Sequence, residues 1–273
     1  MMLERAEPLC LLGAGKMGSA LLNGWLGWGF DPGAVTVVDP GLDAARRTEF
    51  TDRGITVVSS MEEAGTREFR AVLLAVKPQM MGNVLPSTGV IAGPETLVVS
   101  VAAGIRLDML GAAFPRSAVV RAMPNTPAQV GMGMTVAIGN ERVTSDFHAL
   151  AGALLEAVGK VAWIEDESLM DAVTAVSGSG PAYVFLLAEC LAEAGRKAGL
   201  PADLAETLAN QTVAGAGVLL DGGAIPAATL RQNVTSPNGT TAAALSVLMA
   251  DDGLQPLMDR AVEAARLRSI ELG

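Results

Sequence analysis

The stretch TSPNGTT, residues 235–241, gathers hydroxyls, an amide and a glycine, but no acid, base or thiol. The side chains that usually move protons are scarce elsewhere too. The only histidine, His148, lies in the amphipathic helix pattern TSDFHALAGALL and reads as a surface or structural residue. The only tyrosine, Tyr183, lies in GSGPAYVFLLAECLAEAGRK, where helix packing is its natural role, and that run has no lysine before Lys197 at its far end. Oxidation of an alcohol needs a base to take the hydroxyl proton as hydride leaves. Reduction of an imine does not: a protonated C=N accepts hydride directly, and the product nitrogen needs only a hydrogen-bond partner. A hydroxyl in 235–241 can be that partner.

A hydride donor has an evident place. LCLLGAGKMG holds Gly13, Gly15 and Gly18 in the spacing G-x-G-x-x-G, after a strand-like run and at the start of a helix pattern. In that context the first glycine permits a tight turn, the second lets backbone approach a pyrophosphate, and the third lets helix pack on strand. The first helical amides, around Lys16, Met17 and Gly18, then face the phosphates with the positive end of the helix dipole. Asp39 closes the second strand pattern, where an acid accepts hydrogen bonds from ribose hydroxyls and repels a 2′-phosphate. Arg46 and Arg47 follow within two helical turns and could turn toward such a phosphate, so NADH and NADPH both stay open. Ala75, Val76, Lys77 and Pro78 end a further apolar strand and should wall the nicotinamide side of the crevice; Lys77 is the one cation in that segment.

The elements that must hold these residues follow from periodicity. Short apolar, β-branched runs (LCLL, VTVVD, ITVVS, AVLLAV, TLVVSV, AVVRAM) alternate with helix patterns. Strands apolar on both faces suit a parallel sheet covered on both sides, hence a doubly wound α/β domain. GMTVAIGN and GKVAWI extend the strand series, with a helix from about 145 to 158 between them. Beyond Trp163 only helix patterns remain, at 169–176, 182–198, 202–220, 226–234, 240–249 and 254–272. The boundary is therefore placed at Glu165, with a dinucleotide-binding domain over 1–165 and a helical domain over 166–273. The helical half is too uniformly apolar to face water all round, which predicts an oligomer built through it.

Composition narrows the classes further. Half of the 273 residues are hydrophobic and the formal net charge is −10, which argues against nucleic-acid and anionic-membrane partners. Cys10 and Cys190, the only cysteines, make neither a disulfide framework nor a metal cluster and read as buried small hydrophobes in a reduced, cytoplasmic protein. The N-terminal run carries acids and breaks at a glycine, unlike a signal peptide, and the long uncharged stretches are interrupted by Gly and Pro, so no membrane span is expected.

Taken together, GAGKMG, LLAVKPQ, VSVAAGI (99–105), RAMPNTPAQVGMG (121–133), AVSGSGPAYVF (175–185) and LRQNVTSPNGTT (230–241) resemble the signatures of pyrroline-5-carboxylate reductases, in that family's order and nearly end to end. The resemblance implies a Rossmann-type N-terminal domain with NADPH or NADH, and an all-α C-terminal dimerisation domain often assembled into decamers. It implies reduction of (S)-1-pyrroline-5-carboxylate, a small-molecule substrate, to L-proline, the last step of proline biosynthesis. It places Ala102 and Ala103 along the cofactor, and Met123, Pro124 and Asn125 beside the nicotinamide. The family's substrate loop, Ser-Pro-Gly-Gly-x-Thr at the dimer interface, falls on Ser236, Pro237, Asn238, Gly239, Thr240 and Thr241, with Thr241 bonding the ring nitrogen.

Three departures stand out. Asn238 replaces a glycine, at a position where Asn tolerates a left-handed backbone better than most residues. Ala224 and Ile225 precede Pro226 where family members often carry an acid and a histidine. Asp39 is unusual for an NADPH enzyme. On chemistry alone the loop opens the helix pattern TAAALSVLM, so the amides of Gly239, Thr240 and Thr241 are expected to face outward and take a carboxylate. A reductase of another cyclic imine, and a catalytically silent dinucleotide-binding protein, are the alternatives.

Overall fold

Leu9, Cys10, Leu11 and Leu12 are all buried, yet alternate residues enter different cores. Leu9 and Leu11 pack with Leu21, Leu22 and Trp25, whereas Cys10 and Leu12 pack with Met81, Leu85 and Phe114. A strand presents successive side chains to opposite faces, so a run apolar throughout needs helices on both sides of its sheet. The computed structural model describes residues 3–65, 68–223 and 225–273, and has that architecture.

The strands are β1 (Leu9–Leu12), β2 (Val35–Val38), β3 (Thr56–Val58), β4 (Ala71–Leu74), β5 (Leu97–Ser100), β6 (Ala118–Met123), β7 (Gly133–Gly139) and β8 (Gly159–Trp163). They form one eight-stranded sheet in the order β3-β2-β1-β4-β5-β6-β7-β8. The first six strands follow the doubly wound order 3-2-1-4-5-6 and are parallel throughout. β7 runs antiparallel to β6, a departure from the purely parallel expectation. Only 124–132 join the two strands, too short for the crossover that a parallel neighbour requires.

The helices of this part are α1 (Lys16–Gly27), α2 (Ala44–Asp52), α3 (Met61–Ala64), α4 (Met81–Thr88), α5 (Leu107–Ala113) and α6 (Ser145–Glu156). Trp25 pins α1 to α6, its indole N–H donating to the Leu154 carbonyl at 2.8 Å. α7 (Met170–Val173), α8 (Gly180–Lys197), α9 (Ala202–Asp221), α10 (Ala227–Asn233), α11 (Thr240–Leu248) and α12 (Leu254–Leu272) follow.

The chain divides into two compact units, Met1–Gly178 with Arg266–Gly273, and Ser179–Ala265. The strands end at Trp163, close to the expected boundary at Glu165, but 166–178 stay with the first unit. Their hold is visible: Met170 packs with Val136 and Ile138, and Glu167 pairs with the buried Arg121 at 2.6 Å. The Ser269 hydroxyl donates to Asp171 at 2.6 Å, keeping the C-terminus with this unit.

Helices joined by short turns make up the described residues of the second unit. α8 and α9 form a hairpin closed by Gly199 (φ 102°): the Leu200 and Gly199 amides donate to the Gly195 and Arg196 carbonyls, a Schellman end. Among its described residues only Ala192, Ala205 and Ala209 are buried apolar side chains. Phe185, Val218, Leu219 and Val247 stand 63%, 64%, 67% and 70% exposed, so the single chain leaves this unit without a core of its own. Cys190, expected to be buried, is exposed on α8 for the same reason, while Cys10 is buried. Contrary to the reading of the sequence, one helical run among the described residues, Glu167–Lys197, is long and apolar enough to cross a membrane by length and composition. Its apolar side chains include those that the unit leaves uncovered.

Candidate active site

The turn after β1 is built around close approaches. Gly13 takes φ 88°, and a Cβ there would lie 2.8 Å from the Ala75 carbonyl oxygen. A Cβ on Gly18 would lie 2.1 Å from the Gly13 carbonyl oxygen, so α1 can start against the strand only with glycine there. Gly15 differs: a Cβ would meet no atom within 4 Å. It caps α1 without a side-chain hydrogen bond, and the first amides of the helix have no intrahelical acceptors. Backbone donors and open space thus coincide, a fit for a pyrophosphate.

A crevice of about 680 Å³ lies along these strand ends, within the range of small-molecule sites. It gathers Gly13, Gly15, Asp39, Ala75, Val76 and Lys77 from the expected cofactor residues. Lys16, Met17, Gly18, Pro78, Ala102, Ala103 and Asn125 do not line it. Lys16 and Ala103 are exposed, Met17 packs against the core, and Ala102 is buried in the opposite core. Asn125 serves as a brace: its Nδ2 donates to the Ser177 carbonyl at 3.2 Å, and its Oδ1 accepts the Met134 amide at 2.9 Å.

Asp39 is fixed rather than free. Its Oδ2 accepts the Ala14 amide and its Oδ1 the Gly41 amide, both at 2.8 Å. Each oxygen keeps a further lone pair. Arg46 donates to the Ser19 hydroxyl and lies over the Phe50 ring. Arg47 donates to the Val57 carbonyl at 3.3 Å and to Ser59 Oγ at 3.0 Å. The reading of the sequence missed Ser59, Ser60, Met61 and Glu62, which line the crevice after β3. The signal was present: Ser60 caps α3 by accepting the Glu63 amide, and Glu63 accepts the Ser59 amide at 2.8 Å, a variant of the S-x-x-E capping pair. The Glu62 carboxyl is held below the ordinary range by the Ser60 side chain, then by its own backbone amide.

In the helical unit, 235–241 is a turn that launches a helix. The Gly239 amide donates to the Ser236 carbonyl at 3.0 Å, and Asn238 takes φ 58°, the only described non-glycine residue at positive φ. Pro at the second position and positive φ at the third are what a type II turn asks for. Gly239 caps α11 and Thr240 opens it. The expectation for Gly239 is corrected, since its amide is spent inside the turn. The amides of Thr240 and Thr241 remain as helix-start donors. Ser236, Asn238 and Thr240 are exposed, and Thr241 is half-buried. Thr235 turns away, its hydroxyl donating to the Arg231 carbonyl at 2.6 Å. Ala224 lies outside the described residues; Ile225 is exposed. His148 is exposed and stacks on Trp163, with centroids 3.9 Å apart, and Tyr183 is half-buried on α8.

Strand order, glycine turn and an acid after β2 define a Rossmann-type dinucleotide-binding unit, followed by an all-α unit. Residues 167–272 match the family model for pyrroline-5-carboxylate reductase dimerisation, and 8–104 that for NADP oxidoreductase, coenzyme F420-dependent. The chain is 42% identical to the pyrroline-5-carboxylate reductase of Pseudomonas aeruginosa, over 97% of this chain and 96% of that one. It is 38% identical to that of Pisum sativum, over 99% and 97%. Among solved structures, a pyrroline-5-carboxylate reductase from Coxiella burnetii matches with a TM-score of 0.90 at 34% identity, covering 98% of this chain and 99% of that one. The Plasmodium falciparum pyrroline carboxylate reductase, solved with NADP bound, matches with a TM-score of 0.81 at 30% identity, covering 98% and 99%.

The chain belongs to the pyrroline-5-carboxylate reductase family. Its helical part carries the family's dimerisation unit, which accounts for the apolar surface left open in one copy.

Proposed function

We propose that the protein reduces the C=N bond of (S)-1-pyrroline-5-carboxylate to L-proline, using NADH or NADPH, as a cytoplasmic homodimer formed through its helical unit. Decamers built from such dimers are the larger assembly the family resemblance points to. The observation that carries the reading is the end-to-end relationship to reductases of that name. The chemistry of 235–241 supports it.

The bound dinucleotide supplies the hydride. The amides at the start of α1 would hold its phosphates, Gly15 leaves room for them, and Ala75, Val76 and Lys77 wall the crevice beside the glycine turn. Asn125 braces the end of β6 against Ser177. In the helical unit, the Thr240 and Thr241 amides and the Ser236 hydroxyl receive the substrate carboxylate, with Asn238 and Gly239 shaping the turn beneath it. A dipole-assisted anion site of this kind contributes up to about 2 kcal/mol. The Thr241 hydroxyl would bond the ring nitrogen and hold the imine in one orientation for hydride attack. Positioning and fixed dipoles supply the catalysis, with no side chain required to titrate.

The test is a substrate panel. Purified protein should oxidise NADH or NADPH only when an imine is present. Pyrroline-5-carboxylate should exceed carboxylate-free pyrroline in kcat/KM by about a hundredfold, the worth of a charged-group hydrogen bond with its dipole. Equal rates would point to another cyclic imine; no turnover on any imine would leave a silent binding protein.

A further inference from the structure

Next to the end of β2, the crevice is lined by Asp39, Ser59, Ser60 and Glu62, and among the described residues no arginine lines it. Asp39 cannot swing aside without breaking two backbone hydrogen bonds, those from Ala14 and Gly41. Its charge is therefore a fixed feature of the wall. Glu62, held below the ordinary carboxylate range by the Ser60 hydrogen bond and then by its own backbone amide, adds a second negative charge at neutral pH. Two arginines stand near this wall without lining the crevice, each held by protein partners, the lining residue Ser59 among them. Arg46 is tied to the Ser19 hydroxyl and the Phe50 ring, and Arg47 to the Val57 carbonyl and Ser59. Lys77, which does line the crevice, follows β4 rather than β2.

This wall treats the two cofactors differently. A ribose 2′-hydroxyl is a donor, and each Asp39 oxygen has a lone pair left for it. A 2′-phosphate carries about −1.5 to −2 charges and offers only acceptors near neutral pH. Placed against a fixed carboxylate, it meets a like-charge penalty and strands Asp39 without its donor. We infer that this chain takes NADH in preference to NADPH, and that Asp39 is the residue that sets the preference. The inference rests on the dinucleotide reading of the crevice above.

Binding decides it without turnover. NADH and NADPH are titrated into the intact protein by calorimetry, without imine. Wild type should bind NADH about tenfold or more tighter than NADPH. Asp39→Ser should move that ratio about tenfold toward NADPH, chiefly by tightening NADPH, with raised salt narrowing the wild-type gap. Asp39→Asn keeps an acceptor for one of the two amides while removing the charge; it serves if the serine variant fails to fold. Equal or tighter NADPH binding by wild type overturns the inference and leaves the proposed reaction standing. A ratio unchanged in folded Asp39 variants removes Asp39 from the preference. If neither dinucleotide binds, the reading of the crevice falls with it.

Discussion

Gly15 and Gly18 belong to one motif, yet the structure separates their duties, and a pair of substitutions tests the separation. An added Cβ at Gly18 would sit 2.1 Å from the Gly13 carbonyl oxygen, 3.1 Å from its carbon and 3.3 Å from Ala75 Cβ. The nearest obstacle is backbone, so no side-chain rotation relieves it. Overpacking costs about 1–3 kcal/mol in general, and a clash with a hydrogen-bonded turn belongs at the top of that range. Gly18→Ala should therefore lower the melting temperature of the ligand-free protein by about 6–12 °C, at roughly 2–4 °C per kcal/mol for a chain of this size. Gly15 has φ −64° and ψ −165°, open to any residue, and its added Cβ meets nothing within 4 Å. Gly15→Val should melt within about 2 °C of wild type, as a surface change does. It should still weaken NADH binding about a hundredfold, since losing even one or two charge-assisted amide bonds costs about 1.5–3 kcal/mol each. Differential scanning fluorimetry reads the first effect and calorimetric titration the second. Wild-type NADH affinity in Gly15→Val would refute the placement of the pyrophosphate at α1. Wild-type stability in Gly18→Ala would refute the close packing of helix on turn.

Other expectations follow from single contacts. Thr241→Ala should lower kcat/KM about ten- to a hundredfold with melting unchanged, as losing one hydrogen bond to a charged nitrogen predicts; unaltered kinetics would remove Thr241 from the reaction. Asn238→Gly should leave stability and kcat/KM near wild type, while Asn238→Ala, placed at φ 58°, should cost about 1 kcal/mol in denaturant unfolding. Glu167→Ala should destabilise by about 3 kcal/mol in the same assay, because Arg121, only 7% exposed, would lose its ion-pair partner and the Leu107 amide its 2.8 Å acceptor.

Much of the fold could be read from the sequence because its signals are local. Apolar strands such as AVVRAM and the glycine spacing each state their structure within a few residues. The antiparallel β7 was not legible, since strand direction there depends on the short path over 124–132 and not on the strand's composition. Cys190 was misjudged as buried, since the single chain leaves its face of α8 open, whereas the apolar excess of the helical half was legible as the mark of an oligomer. Gly13, Gly15, Asp39 and Lys77, expected at one crevice from their position relative to strand ends, do line one. Ser60 and Glu63 carry a helix-start signal in the sequence, but that Ser59 to Glu62 reach the crevice was not legible, because it depends on the pairing of β3 with β2. Asn238 was legible as a turn residue. The loss of the Gly239 amide to Ser236 was not, since it depends on how that turn closes.

The proposed reaction passes hydride from the dinucleotide directly to the carbon of a cyclic imine, held by a loop without a titrating side chain. Single-turnover reaction of the purified protein with pyrroline-5-carboxylate and NADH deuterated at the transferable C4 position tests it most directly. Mass spectrometry and NMR should find L-proline carrying one deuterium at C5. Proline without the label, or labelled cofactor left unoxidised under saturating imine, would contradict the account.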